Sequence, residues 1–180
     1  MIYRSCKLVC FNLIIFLMML TLTACSEKMM PAGITGYNHM NGRLAIHDYT
    51  VNGAMGSNLF QESGGGAESC CVMIPEKWRP GLKVKVAWEY GIGVKDPVPA
   101  PPPQEKVVEI PEYKHRGKVW VHFYDNHQVK IIVSNCSIEH PFYPMSAKDK
   151  LPWIDFTTKD EEIKYETELK KKGVVLLDCN

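Results

Sequence analysis

The sequence predicts a mainly β chain, folded as one sandwich-like domain with a single late surface helix. Three observations point there. KVKVAWEY (83–90) alternates polar and apolar residues, with Val84, Val86, Trp88 and Tyr90 on one face and Lys83, Lys85 and Glu89 on the other. VWVHFY (119–124) and QVKIIVS (128–134) are β-rich runs joined by the turn-prone Asp125-Asn126-His127, which makes a hairpin. Helix signals gather in one place, Thr158 to Lys172, with capping-box spacing from Thr158 to Glu161, acids early and Lys170 to Lys172 late.

The chain begins with a positive head, Arg4 and Lys7, and an uncharged run from Phe11 to Leu22. At about a dozen residues, that run is too short to cross a bilayer comfortably and has the layout of a secretory signal. Leu22-Thr23-Ala24-Cys25 resembles the lipobox of bacterial lipoproteins, in which the cysteine receives a diacylglyceryl group and becomes the first residue after cleavage. The alternatives are a plain signal peptide or an uncleaved anchor. On the lipoprotein reading residues 1–24 are signal, Cys25 is the lipidation site and the membrane contact, and 25–33 are a lipidated tether. Residues 34–180 are then the β-rich domain, one domain's length. Ser26 stands where an inner-membrane retention signal favours Asp, so the resemblance implies an outer-membrane lipoprotein facing the periplasm.

Next along the chain, LAIHDYTV (44–51) reads as an edge-type strand closed by Asn52-Gly53. Residues 53–66 form a glycine-laden loop in which the backbone bends or is approached closely. Cys70 to Ile74 is a short apolar strand stopped by Pro75, and Pro80-Gly81 is a turn. The proline-rich stretch 91–104 is a stiff excursion between strands, and a strand follows at Val107 to Ile110. His140 to Pro144 cannot be regular, because prolines interrupt it. The stripe Ile163, Tyr165, Leu169 is thin, so the late helix lies on the surface; Gly173 stops it, and Val174 to Leu177 returns as a last strand.

Loss of Arg4 and Lys7 with the signal takes the formal charge from +1 to −1. A near-neutral chain lacks the basic face of a nucleic-acid binder. After Cys25, four cysteines remain, Cys70, Cys71, Cys136 and Cys179, an even set suited to disulfides in an oxidising compartment. A bridge between Cys70 and Cys71 would close a strained ring, so one or both are expected to join Cys136 or Cys179.

No catalytic, cofactor-binding or metal site is expected. The six histidines form no HExxH or comparable ligand pattern, and His122 and His127, the nearest to a shared hairpin site, are expected to be solvated or hydrogen-bonded. Gly64-Gly65-Gly66 lacks the Lys-Ser or Lys-Thr ending of a phosphate loop, and no GxSxG elbow is present. Cys136 with His140 is the one pair suited to thiol catalysis, and oxidation in the periplasm disfavours it. Trp153 and Tyr143, in irregular stretches, are the candidate anchors for a protein partner, with core packing as the other reading.

Taken in order, Gly36-Tyr37-Asn38-His39, Val51-Asn52-Gly53, Gly64-Gly65-Gly66 with Cys70-Cys71, Trp78-Arg79-Pro80-Gly81, 83–88, Val121-His122-Phe123 and 140–144 resemble a family of short Gram-negative lipoproteins classed as a domain of unknown function. Its members look like neighbours of type VI secretion effectors, above all periplasmic phospholipases. The resemblance implies a membrane-tethered immunity lipoprotein that binds and blocks a cognate effector toxin, and it brings no catalytic residues. The competing reading is an envelope structural or carbohydrate-binding lipoprotein.

Overall fold

A computed structural model describes residues 27–40, 42, 44–64, 67–92, 99–152, 154 and 156–172. The signal run, Cys25, Trp153, Cys179, part of the proline-rich stretch and the strand expected at Val174 lie outside the described residues.

Two sheets pack face to face. The first holds β1 (Met29–Asn38), β4 (Ser63–Gly64), β5 (Ser69–Pro75), β8 (Lys118–Tyr124) and β9 (Gln128–Ser134). β1 runs parallel to β8, which is antiparallel to β9, while β5 and β4 pair with successive stretches of the other side of β1. The second sheet is antiparallel, in the order β3 (Ala54–Met55), β2 (Leu44–Val51), β6 (Lys83–Ile92) and β7 (Gln104–Glu109). The fold is therefore a β-sandwich, as the alternation in 83–90 implied.

The two inner faces make the core. Ile34, Val119, Val121, Phe123 and Ile131 of the first sheet meet Ile46, Tyr49, Val51, Val86 and Trp88 of the second. The Phe123 ring lies edge-on to Trp88 at 5.6 Å and to Tyr49 at 5.3 Å, the geometry that aromatic quadrupoles favour. β8 is buried on both faces: Trp120 and His122 point away from the sandwich and are covered by residues 136–147. Between the sheet and this third layer Trp120, Ile132, Cys136, Ile138 and Tyr143 form a second apolar cluster.

The 125–127 turn joins β8 to β9 as expected, with Asn126 and His127 at φ 56° and 57°. Two expectations need correction. Residues 29–33 are no tether, because β1 already begins at Met29 and buries Met30, Ala32 and Ile34 in alternation. Pro31 disguised this stretch. The strand tolerates it because β8 pairs only from Ile34 onward, leaving that side of Pro31 without a ladder to break. β2 is not an edge strand either, since β3 folds back beside its last residues through the Asn52-Gly53 turn.

The late helix, α2 (Lys159–Lys172), sits where the capping spacing put it, and the Thr158 hydroxyl accepts from the Glu161 backbone N–H at 3.2 Å. What attaches it is polar. The short α1 (Ala147–Lys150) turns its first backbone N–H groups toward α2, where Glu166 accepts from Ala147 at 2.9 Å and Glu162 from Lys148 at 3.2 Å. Ile163 of the expected apolar stripe is exposed, and among the described α2 side chains the buried one is Glu162.

Candidate binding surface

The distal side of the first sheet displays an aromatic ring on a braced loop. Leu59 is buried, and its N–H and carbonyl both bond to Ile46, at 2.9 Å each. The next residue, Phe60, is turned outward and 71% exposed, the most exposed large apolar side chain among the described residues. Beyond it Tyr37 Oη donates to the Glu62 carbonyl at 3.1 Å, and β4 pairs with Tyr37 and Asn38. The near end of the loop is held by Gly56, whose N–H donates to the Tyr49 carbonyl at 2.8 Å. A Cβ at Gly56 would fall 2.1 Å from the Tyr49 ring, and one at Gly64 2.1 Å from the Gly36 carbonyl, so neither position accommodates a larger residue. The close backbone approach expected of this glycine-laden loop occurs at these two places.

Ser57, Asn58, Phe60, Ser63, Gly64 and Ala67 border a cleft of about 330 Å³ beside the ring. A preset aromatic with neighbouring hydroxyl and amide groups is the arrangement of a protein-interface hot spot, because little freedom remains to be lost on contact. Met55, in β3, is also exposed, and its carbonyl accepts from Ser69 Oγ at 2.5 Å.

The residues singled out from the sequence fall elsewhere. Tyr143 is not a surface anchor, since it is 3% exposed. Its hydroxyl lies 2.5 Å from His122 Nε2, and His122 Nδ1 lies 2.9 Å from His39 Nε2. With Tyr143 donating, the His122 proton sits on Nδ1 and is passed toward His39, which places the His39 proton on Nδ1. Burial lowers His39 to about 4, with the Lys150 backbone acting in the opposite sense. Burial, then the His39 and lysine charges, hold His122 well below the ordinary imidazole range, so both rings are neutral. The chain of bonds fastens the 140–150 segment to the back of β8. His127 is remote from His122 and instead meets the Tyr90 hydroxyl at 2.7 Å.

The cysteine expectation is corrected in part. Cys70 and Cys71 bond each other, rather than reaching Cys136 or Cys179. Cys136 is also disulfide-bonded, so its partner lies outside the described residues and it is no free thiol for His140 to activate. Among the described residues no group of three His, Cys, Asp or Glu side chains is placed to hold a metal ion.

The braced loop and the strands that hold it fall inside one sequence family. A model described as a protein of unknown function (DUF3304) matches residues 37–131, just over half of the chain. The chain belongs to the DUF3304 family. The match runs from the end of β1 to the middle of β9, and so takes in Tyr37, Gly56, Phe60, Gly64 and His122 of this DUF3304 protein. No curated protein and no solved structure matches it.

Phe60 was missed because an aromatic in a glycine-rich loop looks the same in sequence whether it is tucked in or turned out. The available signal was the pair Leu59-Phe60: two apolar neighbours in a pinned, extended segment point to opposite sides, so one must be left outside.

Proposed function

We propose that this DUF3304 protein is a periplasmic immunity lipoprotein, tethered by Cys25, that binds and blocks a type VI secretion toxin of the phospholipase class. The observation that carries the binding role is Phe60, displayed on a loop fixed at both ends beside an open cleft. The lipobox, the order of motifs and the resemblance to effector neighbours support the rest. Inhibition by occupation needs a shaped surface and a few aromatic anchors rather than a reacting group. Tethering at the membrane, where a lipase works, raises the effective concentration of inhibitor with no added contact.

Co-production of the effector encoded beside this gene, directed to the periplasm, tests the reading. Cells with the intact protein survive, cells without it lyse, and equal killing in both defeats it. Phe60→Ala is expected to weaken the toxin complex at least tenfold, on the order of 2 kcal/mol for a central aromatic anchor. The same change should shift unfolding by under ~0.5 kcal/mol, because the ring is exposed.

A second reading, an envelope carbohydrate-binding module, is favoured by the groove of about 220 Å³ between Tyr37 and Tyr165, which Glu139 and Lys150 also line. Two rings flanking a mainly apolar slot, with one carboxylate and one ammonium at hand, suit the stacking of a sugar. Retention on peptidoglycan, lost in Tyr165→Ala and with no toxin captured, would favour it.

A further inference from the structure

We infer that the end of the sandwich where β1 begins lies flat against an anionic lipid surface, leaving the Phe60 loop turned toward the periplasm; this rests on the reading of Cys25 as a membrane anchor. The described chain starts at Glu27, only two residues past that cysteine, and it is tied down at once. The Lys28 carbonyl accepts from the Glu76 N–H at 2.8 Å, Lys28 Nζ lies 2.7 Å from the Glu76 carboxylate, and Arg79 Nε donates to Glu27 at 2.9 Å. Three residue steps separate Cys25 from Lys28, so their Cα atoms can stand no more than about 11 Å apart whatever the conformation between them. An uncleaved anchor ending at Leu22 would double that reach, to about 22 Å. There is too little chain for the domain to turn over.

What this end presents suits phospholipid headgroups. Residues 76–82 and 111–117 gather there, joined by Tyr113 Oη donating to the Pro75 carbonyl at 2.6 Å and by Trp78 Nε1 donating to the Ile110 carbonyl at 2.8 Å. Lys28, Lys77, Arg79, Lys114 and Arg116, all exposed, outnumber Glu27, Glu76 and Glu112. The pairing is uneven as well: Glu76 is shared by Lys28 and Arg116, and Lys77 and Lys114 have no ion-pair partner among the described residues. Beside Lys114 and Arg116 a cleft of about 450 Å³ opens, with exposed Phe142 on its rim. Met29, 43% exposed, adds an apolar contact. Basic side chains around a short acylated terminus are the pairing of signals that holds a protein against anionic lipid. Phe60 lies far from this surface. β4, which closes its loop, pairs with β1 at Tyr37, and Met29 to Tyr37 spans about 26 Å of strand.

The test is amide hydrogen exchange of the full, natively processed protein on vesicles of phosphatidylethanolamine with phosphatidylglycerol, on vesicles without phosphatidylglycerol, and in detergent. Residues 76–82 and 111–117 should exchange severalfold more slowly on the anionic vesicles, while 56–62 and 125–127 stay unchanged. Lys77→Glu with Lys114→Glu should abolish that difference while the protein still floats with the vesicles. Equal exchange at both ends of a protein that floats, or slowing at 56–62 instead, overturns the orientation and leaves the anchor standing. A protein that does not float, and whose terminus carries no acyl mass, overturns the anchor and the orientation together.

Discussion

A single proton inventory separates His39 from an ordinary surface imidazole. Its ring is 1% exposed, stacked 4.6 Å from Tyr124 and bonded to His122, and burial lowers it to about 4. In the unfolded chain the same ring titrates near 6.5. Between those values the unfolded chain holds the proton and the folded protein does not, so acid favours unfolding. Stability is therefore full above about pH 6.5 and falls as the pH drops toward 4, by about 3 kcal/mol from His39 alone. His122 acts with the same sign. Urea midpoints measured from pH 7 down to 4.5 should decline steadily, and His39→Gln should flatten the decline; an unchanged midpoint over that range would show that the rings take up protons without unfolding.

At the scale of elements, the contacts described between α1 and α2 place charge on backbone. Glu162 accepts from the Lys148 N–H and pairs with Lys159 at 3.1 Å, and these contacts, the backbone one foremost, lower its carboxyl below the ordinary range. Negative charge also suits the N-terminal turn of each helix. Glu162→Gln should speed amide exchange in 147–150 without unfolding the sandwich; unchanged rates there would assign the docking to Glu166 alone. The depressed carboxyl keeps this contact intact above the normal carboxylate range and releases it as the pH falls through the lowered value. None of this was legible from residues 158–172, where the pattern gave the helix, its cap and its surface position but nothing that singled out Glu162. A partner that supplies only backbone N–H groups leaves no mark in sequence. β6 was the opposite case: its alternation named every inward side chain, because one face meets the core and the other meets water. β8 lay between, since a strand covered on both sides loses its alternation and VWVHFY shows only that it is buried.

For the whole molecule, the sandwich was legible because most of its strands are half-buried and bounded by turn residues, and the exceptions have physical causes. β1 hid behind Pro31, and the bond between Cys70 and Cys71 went against the pleat rule that sends neighbouring side chains to opposite faces. On the proposed reading, attachment of the molecule to a membrane rests on Cys25 rather than on the strands. Cys25→Ala should move the protein from the membrane fraction into soluble extract with its near-ultraviolet circular dichroism unchanged; continued sedimentation with membranes would mean that the apolar run itself stays in place as an anchor.

The place of β1 has a bearing on how the chain reaches its final form. β1 supplies an interior strand of its sheet: β5 reaches one side of it early, and the neighbour on the other side arrives much later, with Ile34 opposite Val119. A parallel pairing so distant in sequence forms slowly, because a long loop must close before any contact rewards it. Until β8 and β9 have been delivered, β1 can be held only from the side that β5 and β4 cover. A protein threaded through a narrow channel benefits from that delay, since the first sheet cannot close before most of the chain has passed.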